Sequence, residues 1–593
     1  MQHESSLSTF PSKKLLVDFV PAHTTRKLLQ SWHALPLERS QQHNSSRKQQ
    51  LIVSSSLPLG ASASMTTARM TTSQGQAAPL GRGDAAEDDA GGSTAAHFVF
   101  VPLREQGHLI PAVDTALLLA THGAVCTIVG PPSTAALVRP AVDSARRSGL
   151  HVRLAEFPLD YAAAGLPEGA DDAADSVPAM HMWSFFRAMA LLRAPIESYL
   201  RAHAPFPTCV VSDFVNPWTT ELAANLGVPR LSFFSMCTFG LLCQHNLERF
   251  GAWDGVEDPN QPVVVPGLER RFVVTRAQAP GFFRGIPIPC WEEFADYVER
   301  ARAEADGVIV NTFEEMEPEF VAGYAAARKM KVWTVGPVST YHQSSPTPAA
   351  SALASRGLRA PAIDPDECLR WLDGKPAGSV VYVSFGSISQ AGAKQVVELG
   401  LGLEASGHPF IWVVRNADEY DAAARGFLGE LEARVAGRGL LVRGWAPQLL
   451  ILSHAAVGGF VTHCGWNSTL EAVAAGLPVV TWPHFTDQFL NEKMAVEVLG
   501  IGVRVGVTEP LTYQAVPKEI VVGRGVVEAA VRSVMGGGEE AEERRRRARA
   551  LAAKARAAAQ PGGSSHANLL DLVKRFRPGA APGAAPGAAV SGV

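Results

Sequence analysis

Cysteine is sparse: the seven residues, at 126, 209, 237, 243, 290, 368 and 464 of a 593-residue chain, form no CxxC pair and no Cys/His cluster. An odd, dispersed set excludes a disulfide scaffold or zinc cluster and reads as reduced, mostly buried thiols in a reducing compartment. Charge is thin as well, at 19% of residues, with Lys+Arg 53 against Asp+Glu 57 and a formal net charge of −4. Phosphate backbones are bound by concentrated Lys and Arg, so nucleic acid is not expected as a partner. No uncharged apolar run reaches the ~18 residues of a membrane-spanning helix, and a soluble, cytoplasmic protein is expected. The usual nucleotide and hydrolase fingerprints are missing too. No GxGxxG opens a helix after the first strand, Gly374-Lys375 fails the P-loop spacing, and neither GxSxG nor HExxH occurs. These absences weigh against a nicotinamide-dependent oxidoreductase.

What is present is 47% hydrophobic, enough to bury cores throughout most of the chain. Length alone suggests about four domains, but the texture argues for fewer. Residues 1–92 are rich in Ser, Thr, Gln and Ala, without apolar periodicity, and poor in acid before Asp84. They read either as a disordered or gene-model extension, with Met65 and Met70 as internal starts, or as a plastid transit segment. From His97 strand and helix patterns alternate: HFVFVPL, a helical DTALLLATHG, AVCTIVG, then CVVSDFV, RLSFFSM, GVIVNTF and VWTVGPV. After a Ser/Pro/Ala-rich linker the alternation resumes with VVYVSFGS, FIWVVR, LLVRGWAP, GGFVTHCG and LPVVTWP. This is the signature of parallel-sheet α/β domains. The expected layout is an N-terminal domain at 93–343, a linker at 344–360, a C-terminal domain with its last helix at 361–575, and a low-complexity tail at 576–593.

In open parallel sheets ligands bind beyond the carboxyl ends of the strands, so the loops there deserve the search. Asp364-Pro365-Asp366 is a carboxylate pair that fits a helix N-cap better than a metal site. The run Arg544–Arg547, balanced by Glu539, Glu540, Glu542 and Glu543, reads as a solvated helix face. The block from Trp445 to Gln488 is different. It places the turn CGWNS between a strand ending in His463 and the helix STLEAVAAG, whose N-terminal N–H groups offer a phosphate site. Gly465 allows close backbone approach, and Ser468 with Glu471 also fits a simple capping box.

From its initial Trp to its final Asp-Gln, the Trp445–Gln488 block resembles the signature box of plant secondary-product UDP-glycosyltransferases. The resemblance extends over roughly residues 95 to 575, including the QGHLIP and SFGS turns. It implies a fold of two Rossmann-like domains facing across a cleft, the GT-B type. The donor is then bound mainly by the second domain and the acceptor mainly by the first. It implies that Trp445 stacks on uracil, that Ala446 and Gln448 present hydrogen-bonding groups to base and ribose, and that Glu471 holds the ribose hydroxyls. His463, Asn467, Ser468 and Ser387 would hold the diphosphate, while Trp466, Asp487 and Gln488 would face the sugar. His108 in the EQGHLIP loop would be the general base and Asp213 in VVSDFV the acid that orients it; Asp213 alone also fits a cap for the next helix. The implied reaction is inverting transfer of glucose from UDP-glucose to a hydroxyl of a small lipophilic acceptor such as a flavonoid, terpenoid, hormone or xenobiotic. No metal or further cofactor is expected, and the chain is expected to be a monomer. The alternative is a non-catalytic UDP-sugar-binding protein. Two positions depart from the family pattern. Glu105 replaces a common small residue before QGH, and GPPST replaces the frequent Thr-Pro-x-Asn after the second strand.

Overall fold

The computed structural model describes residues 94–167, 169, 181–280, 290–343, 356, 359–389, 391–512 and 516–579. The expected tail at 1–92 and all of the linker at 344–360 except 356, 359 and 360 lie outside them. The first strands are β1 (His97–Val101), β2 (Val125–Gly130), β3 (Val152–Glu156), β4 (Cys209–Asp213) and β5 (Arg230–Phe234). A two-stranded antiparallel ribbon, β6 (Pro262–Val264) and β7 (Val273–Thr275), precedes β8 (Gly307–Val310) and β9 (Val332–Thr334). Without the ribbon, these strands form one sheet in the order β3-β2-β1-β4-β5-β8-β9, and every pairing in it is parallel. The second series is β10 (Val380–Ser384), β11 (Phe410–Val413), β12 (Gly439–Val442), β13 (Val457–Thr462), β14 (Val479–Thr481) and β15 (Gly502–Arg504). It forms a second parallel sheet, ordered β12-β11-β10-β13-β14-β15.

The unbroken apolar strands of the sequence follow from this arrangement. A parallel sheet is covered by helices on both faces, so side chains pointing either way must be apolar. Along β1, Phe98 and Phe100 enter the core on one face while Val99 and Val101 enter the core on the other. A further cluster runs from Phe234, Phe239 and Phe320 to Trp466, Leu470 and Met494, so apolar packing is continuous between the two sheets.

Both sheets reverse their strand order once, between β1 and β4 in the first and between β10 and β13 in the second. The crevice at such a reversal is where α/β sheets take ligands. His108 follows β1 and Asp213 ends β4; Ser387 follows β10 and His463 follows β13. Topology thus brings four of the sequence candidates to the two crevices.

Several local readings are settled by hydrogen bonds. Asp364 caps the helix Pro365–Asp373, accepting from the N–H groups of Asp366 (2.8 Å) and Glu367 (3.1 Å). In the helix Glu539–Ala559, Arg544 to Arg547 pair with Glu540, Glu542 and Glu543 along its surface. Two readings need correction. The QGHLIP segment is not a loop, because the helix Gln106–Thr121 already begins at Gln106. Nor do Ser468 and Glu471 form a capping box. Cys464 takes a left-handed φ of 64° and Gly465 is the N-cap, so the helix Trp466–Ala475 starts too early for either side chain to reach a cap position.

The last helix, Ser564–Arg575, also lies elsewhere than with the second domain. Leu569, Leu572, Val573 and Phe576 pack into the core of the first sheet, where Phe576 meets Phe98 edge-on. Among the described residues no helix is long and apolar enough to cross a membrane.

Candidate active site

Between the two sheets lies a cavity of about 1010 Å³. His108, Ser387, Trp445, Ala446, Gln448, His463, Gly465, Trp466, Asn467, Ser468, Glu471, Asp487 and Gln488 all line it. Asp213 stands behind His108, almost wholly buried, and its Oδ2 lies 2.8 Å from His108 Nδ1. The other carboxylate oxygen accepts the Val215 N–H at 3.2 Å, so Asp213 is held by the turn after β4 and does not cap the helix Thr219–Leu226. Burial opposes protonation of His108. The charge and hydrogen bond of Asp213, helped by Glu105 and Asp487, outweigh it and hold the imidazole above its usual 6.5. Glu105, the departure seen in the sequence, therefore adds negative potential at this histidine.

The first turn of the His108 helix is joined to the second domain through a proline. Pro111 has no N–H, so it leaves the carbonyl of Gly107, four residues earlier, without its helical partner. Asn467 fills that position from across the cleft, donating Nδ2 to the Gly107 oxygen at 2.7 Å. The Asn467 Oδ1 accepts from Asn311, just after β8, at 3.2 Å, and the Asn311 carbonyl accepts the Trp466 indole N–H at 2.7 Å. The side chains of Trp466 and Asn467 thus bind the two domains together while lining the cavity.

At the other end Gln448 donates to Ser468 Oγ (3.0 Å) and to Glu471 (2.8 Å). Trp445 is half-buried, with its indole nitrogen unpartnered among the described residues. His463 is partly buried beside Arg415, and desolvation followed by that neighbouring cation pushes it down to about 4. It is therefore neutral and can offer an N–H without a charge. Its ring fits between two glycines: a Cβ at Gly386 would come within 2.5 Å of the imidazole and one at Gly465 within 2.4 Å. Close approach at Gly465 thus serves the histidine ring itself. Gly465→Ala is expected to displace His463 and weaken UDP binding by about 10- to 100-fold, the worth of one hydrogen bond to a charged group. Calorimetric titration with UDP checks this, and unchanged affinity would exclude His463 from the nucleotide site.

Asp487 is bonded to Asn491 (2.8 Å) and Thr486 (3.0 Å), and burial raises its carboxyl. The Gln488 side-chain oxygen already accepts from the N–H groups of His484 (2.8 Å) and Phe485 (3.2 Å), which points to its NH2 as the group left for a ligand. On the first-domain side the cavity wall carries Met182, Phe185 and Phe186 from one helix and Trp291, Phe294 and Val298 from another, the latter also bringing Glu292, Asp296, Glu299 and Arg302 to the wall. Sequence reasoning left these two segments unplaced. It also missed the arginines on the cavity wall, among them Arg415 at the end of FIWVVR and Arg356. The position of Arg415 beyond a strand's carboxyl end was a usable signal, whereas Arg356 had none.

Comparison with known proteins agrees with this architecture. The family model for "UDP-glucoronosyl and UDP-glucosyl transferase" matches residues 327–515. UDP-glycosyltransferase 73E1 of Stevia rebaudiana is 44% identical over 485 residues, covering 81% of this chain and 96% of that protein. UDP-glycosyltransferase 73C5 of Arabidopsis thaliana is 42% identical, covering 81% and 97%. Among solved structures, Glycyrrhiza uralensis UGT73P12, complexed with glycyrrhetinic acid 3-O-monoglucuronide, superposes with a TM-score of 0.73 at 35% identity, covering 81% of this chain and 96% of that one. Phytolacca americana UGT2, complexed with UDP-2fluoro-glucose and pterostilbene, gives 0.63 at 26% identity, covering 81% and 100%. With two parallel-sheet domains of the GT-B type and relatives matched over nearly their whole length, the chain belongs to the plant UDP-glycosyltransferase family.

Proposed function

We propose that this UDP-glycosyltransferase moves glucose from UDP-glucose to a hydroxyl of a small lipophilic acceptor, with inversion at the anomeric carbon. The observation that carries the reading is that His108, backed by Asp213, and the Trp445–Gln488 block open on one cavity. With Nδ1–H held by Asp213, His108 keeps Nε2 free to take the acceptor's proton. The acceptor oxygen then attacks the anomeric carbon from the face opposite the diphosphate. A single displacement converts the α-linked donor to a β-glycoside, and imidazolium is stabilised by the buried carboxylate. Charge growing on the leaving UDP is met by the N-terminal N–H groups of the helix Trp466–Ala475, by His463 and by Arg415. Those groups supply the electrostatic stabilisation, and the reading requires no metal. The apolar wall of Phe185, Phe186, Trp291 and Phe294 suits a flat, largely apolar acceptor.

Glucose and galactose differ in the direction of one hydroxyl, and the amide of Gln488 with the carboxyl of Asp487 offers it fixed partners. Misplacing that hydroxyl leaves a polar group unpaired, at a cost of about 1–3 kcal/mol, or roughly ten- to over a hundredfold in kcat/KM. UDP-glucose is therefore expected to win over UDP-galactose by that margin in direct competition, with products of a phenol panel read by mass spectrometry. Gln488→His should narrow the margin without reversing it. Preference of the native enzyme for galactose would sink the donor assignment, and absence of any glycoside or UDP release would sink the catalytic reading.

A further inference from the structure

Arg356 stands in the stretch of chain between the two domains, yet it is buried and faces the cavity. Its guanidinium makes two ion pairs. Nε donates to Asp114 Oδ2 at 2.8 Å, and Nη1 donates to Glu471 Oε1. Asp114 lies on the helix Gln106–Thr121, the one that carries His108, and its other oxygen is 2.8 Å from His342 Nε2. Glu471 lies on the helix Trp466–Ala475, and its other oxygen accepts from Gln448. All four charged or titratable side chains are at most 9% exposed. A buried carboxylate needs a counter-charge and filled hydrogen-bonding positions. Arg356 supplies both to Asp114 and to Glu471, and it does so from a segment belonging to neither helix.

We propose that Arg356 is a positioning residue of the donor site. It fixes the rotamer in which the Glu471 carboxylate meets the ribose hydroxyls of a uridine nucleotide, and through Asp114 it sets the donor helix against the helix of His108. This rests on the glycosyl-transfer reading, which assigns the ribose to Glu471. Arg356 acts through Glu471, so its removal should be felt at the ribose hydroxyls more than at the uracil or the phosphates.

The test uses the full chain and two probes, UDP and 2′-deoxy-UDP, titrated calorimetrically into the native protein, Arg356→Met, Arg356→Lys and the double variant Arg356→Met with Asp114→Asn. Native protein should prefer UDP. Arg356→Met should weaken UDP by about tenfold or more, the factor carried by 1.4 kcal/mol, while 2′-deoxy-UDP weakens much less and the preference collapses. Arg356→Lys, which keeps a charge but loses the two-sided fork, should recover part of it. The double variant removes the carboxylate stranded at position 114, so its melting temperature should return toward native while the preference stays lost. Equal weakening of both nucleotides, or recovery of the preference together with stability in the double variant, would make Arg356 a purely structural residue and overturn the proposal. A native protein that binds neither nucleotide would overturn the donor-site reading as well.

Discussion

Replacing His108 by alanine is expected to lower the transfer rate by about 10²–10⁴-fold, the range contributed by a positioned general base, while UDP affinity stays nearly native. The separation follows from where the bonds fall. The imidazole is tied to Asp213 in its own domain, whereas its helix meets the second domain through the backbone carbonyl of Gly107 and through Asp114 by way of Arg356, and both links survive the substitution. Single-turnover rates with UDP-glucose and calorimetry with UDP measure the two quantities separately. Loss of UDP binding in parallel with rate would show that the histidine supports the fold of the cleft and not the proton transfer.

Asp213→Asn should cost a comparable factor for a different reason. The Val215 N–H points at one oxygen of Asp213 and His108 Nδ1 at the other. An asparagine that keeps its oxygen toward Val215 turns its NH2 toward Nδ1. The imidazole then carries its proton on Nε2, where the base must be, and transfer falls by about 10²–10⁴-fold. The pH profile adds a second readout. In the native enzyme His108 is held above 6.5, so imidazolium persists to higher pH and the active base form grows only as pH rises through that raised value. The acid limb of kcat/KM should therefore lie above 6.5. In Asp213→Asn the main raising influence is gone and burial, which disfavours the cation, remains. The limb should move to lower pH even as the plateau falls. A limb that stays in place would assign it to another group.

The long apolar strands of both sheets could be read from the chain because strands buried on two faces have little freedom of composition. The elements that escaped are at edges. β3, with Arg153 and Glu156 in VRLAE, and β15, with Arg504 after two small or apolar residues, have a neighbour on one side only. Polar side chains are tolerated there, and the apolar signal fades. The donor block was legible because strand, turn and helix are contiguous in it. Arg356 was not, since a Ser/Pro/Ala-rich context looks like linker and nothing within a few residues reveals Asp114 or Glu471. The mistaken capping box has the same origin. Ser468 and Glu471 have the right spacing, but the start of their helix is set by the left-handed turn at Cys464.

The helix Ser564–Arg575 bears on how the protein is made. Its Leu569, Leu572 and Val573, with Phe576 just beyond its end, complete the core over β1 and β9, and Trp333 of β9 donates its indole N–H to Asp571 at 2.7 Å. A chain leaving the ribosome presents the strands of the first domain long before this helix exists, and domains emerging early ordinarily fold first. Here the first sheet stays partly uncovered, with Phe98 and Trp333 lacking their last cover, until translation has passed through the entire second domain. The first domain therefore matures last on that face, and a polypeptide released early would carry an apolar scar for chaperones to hold.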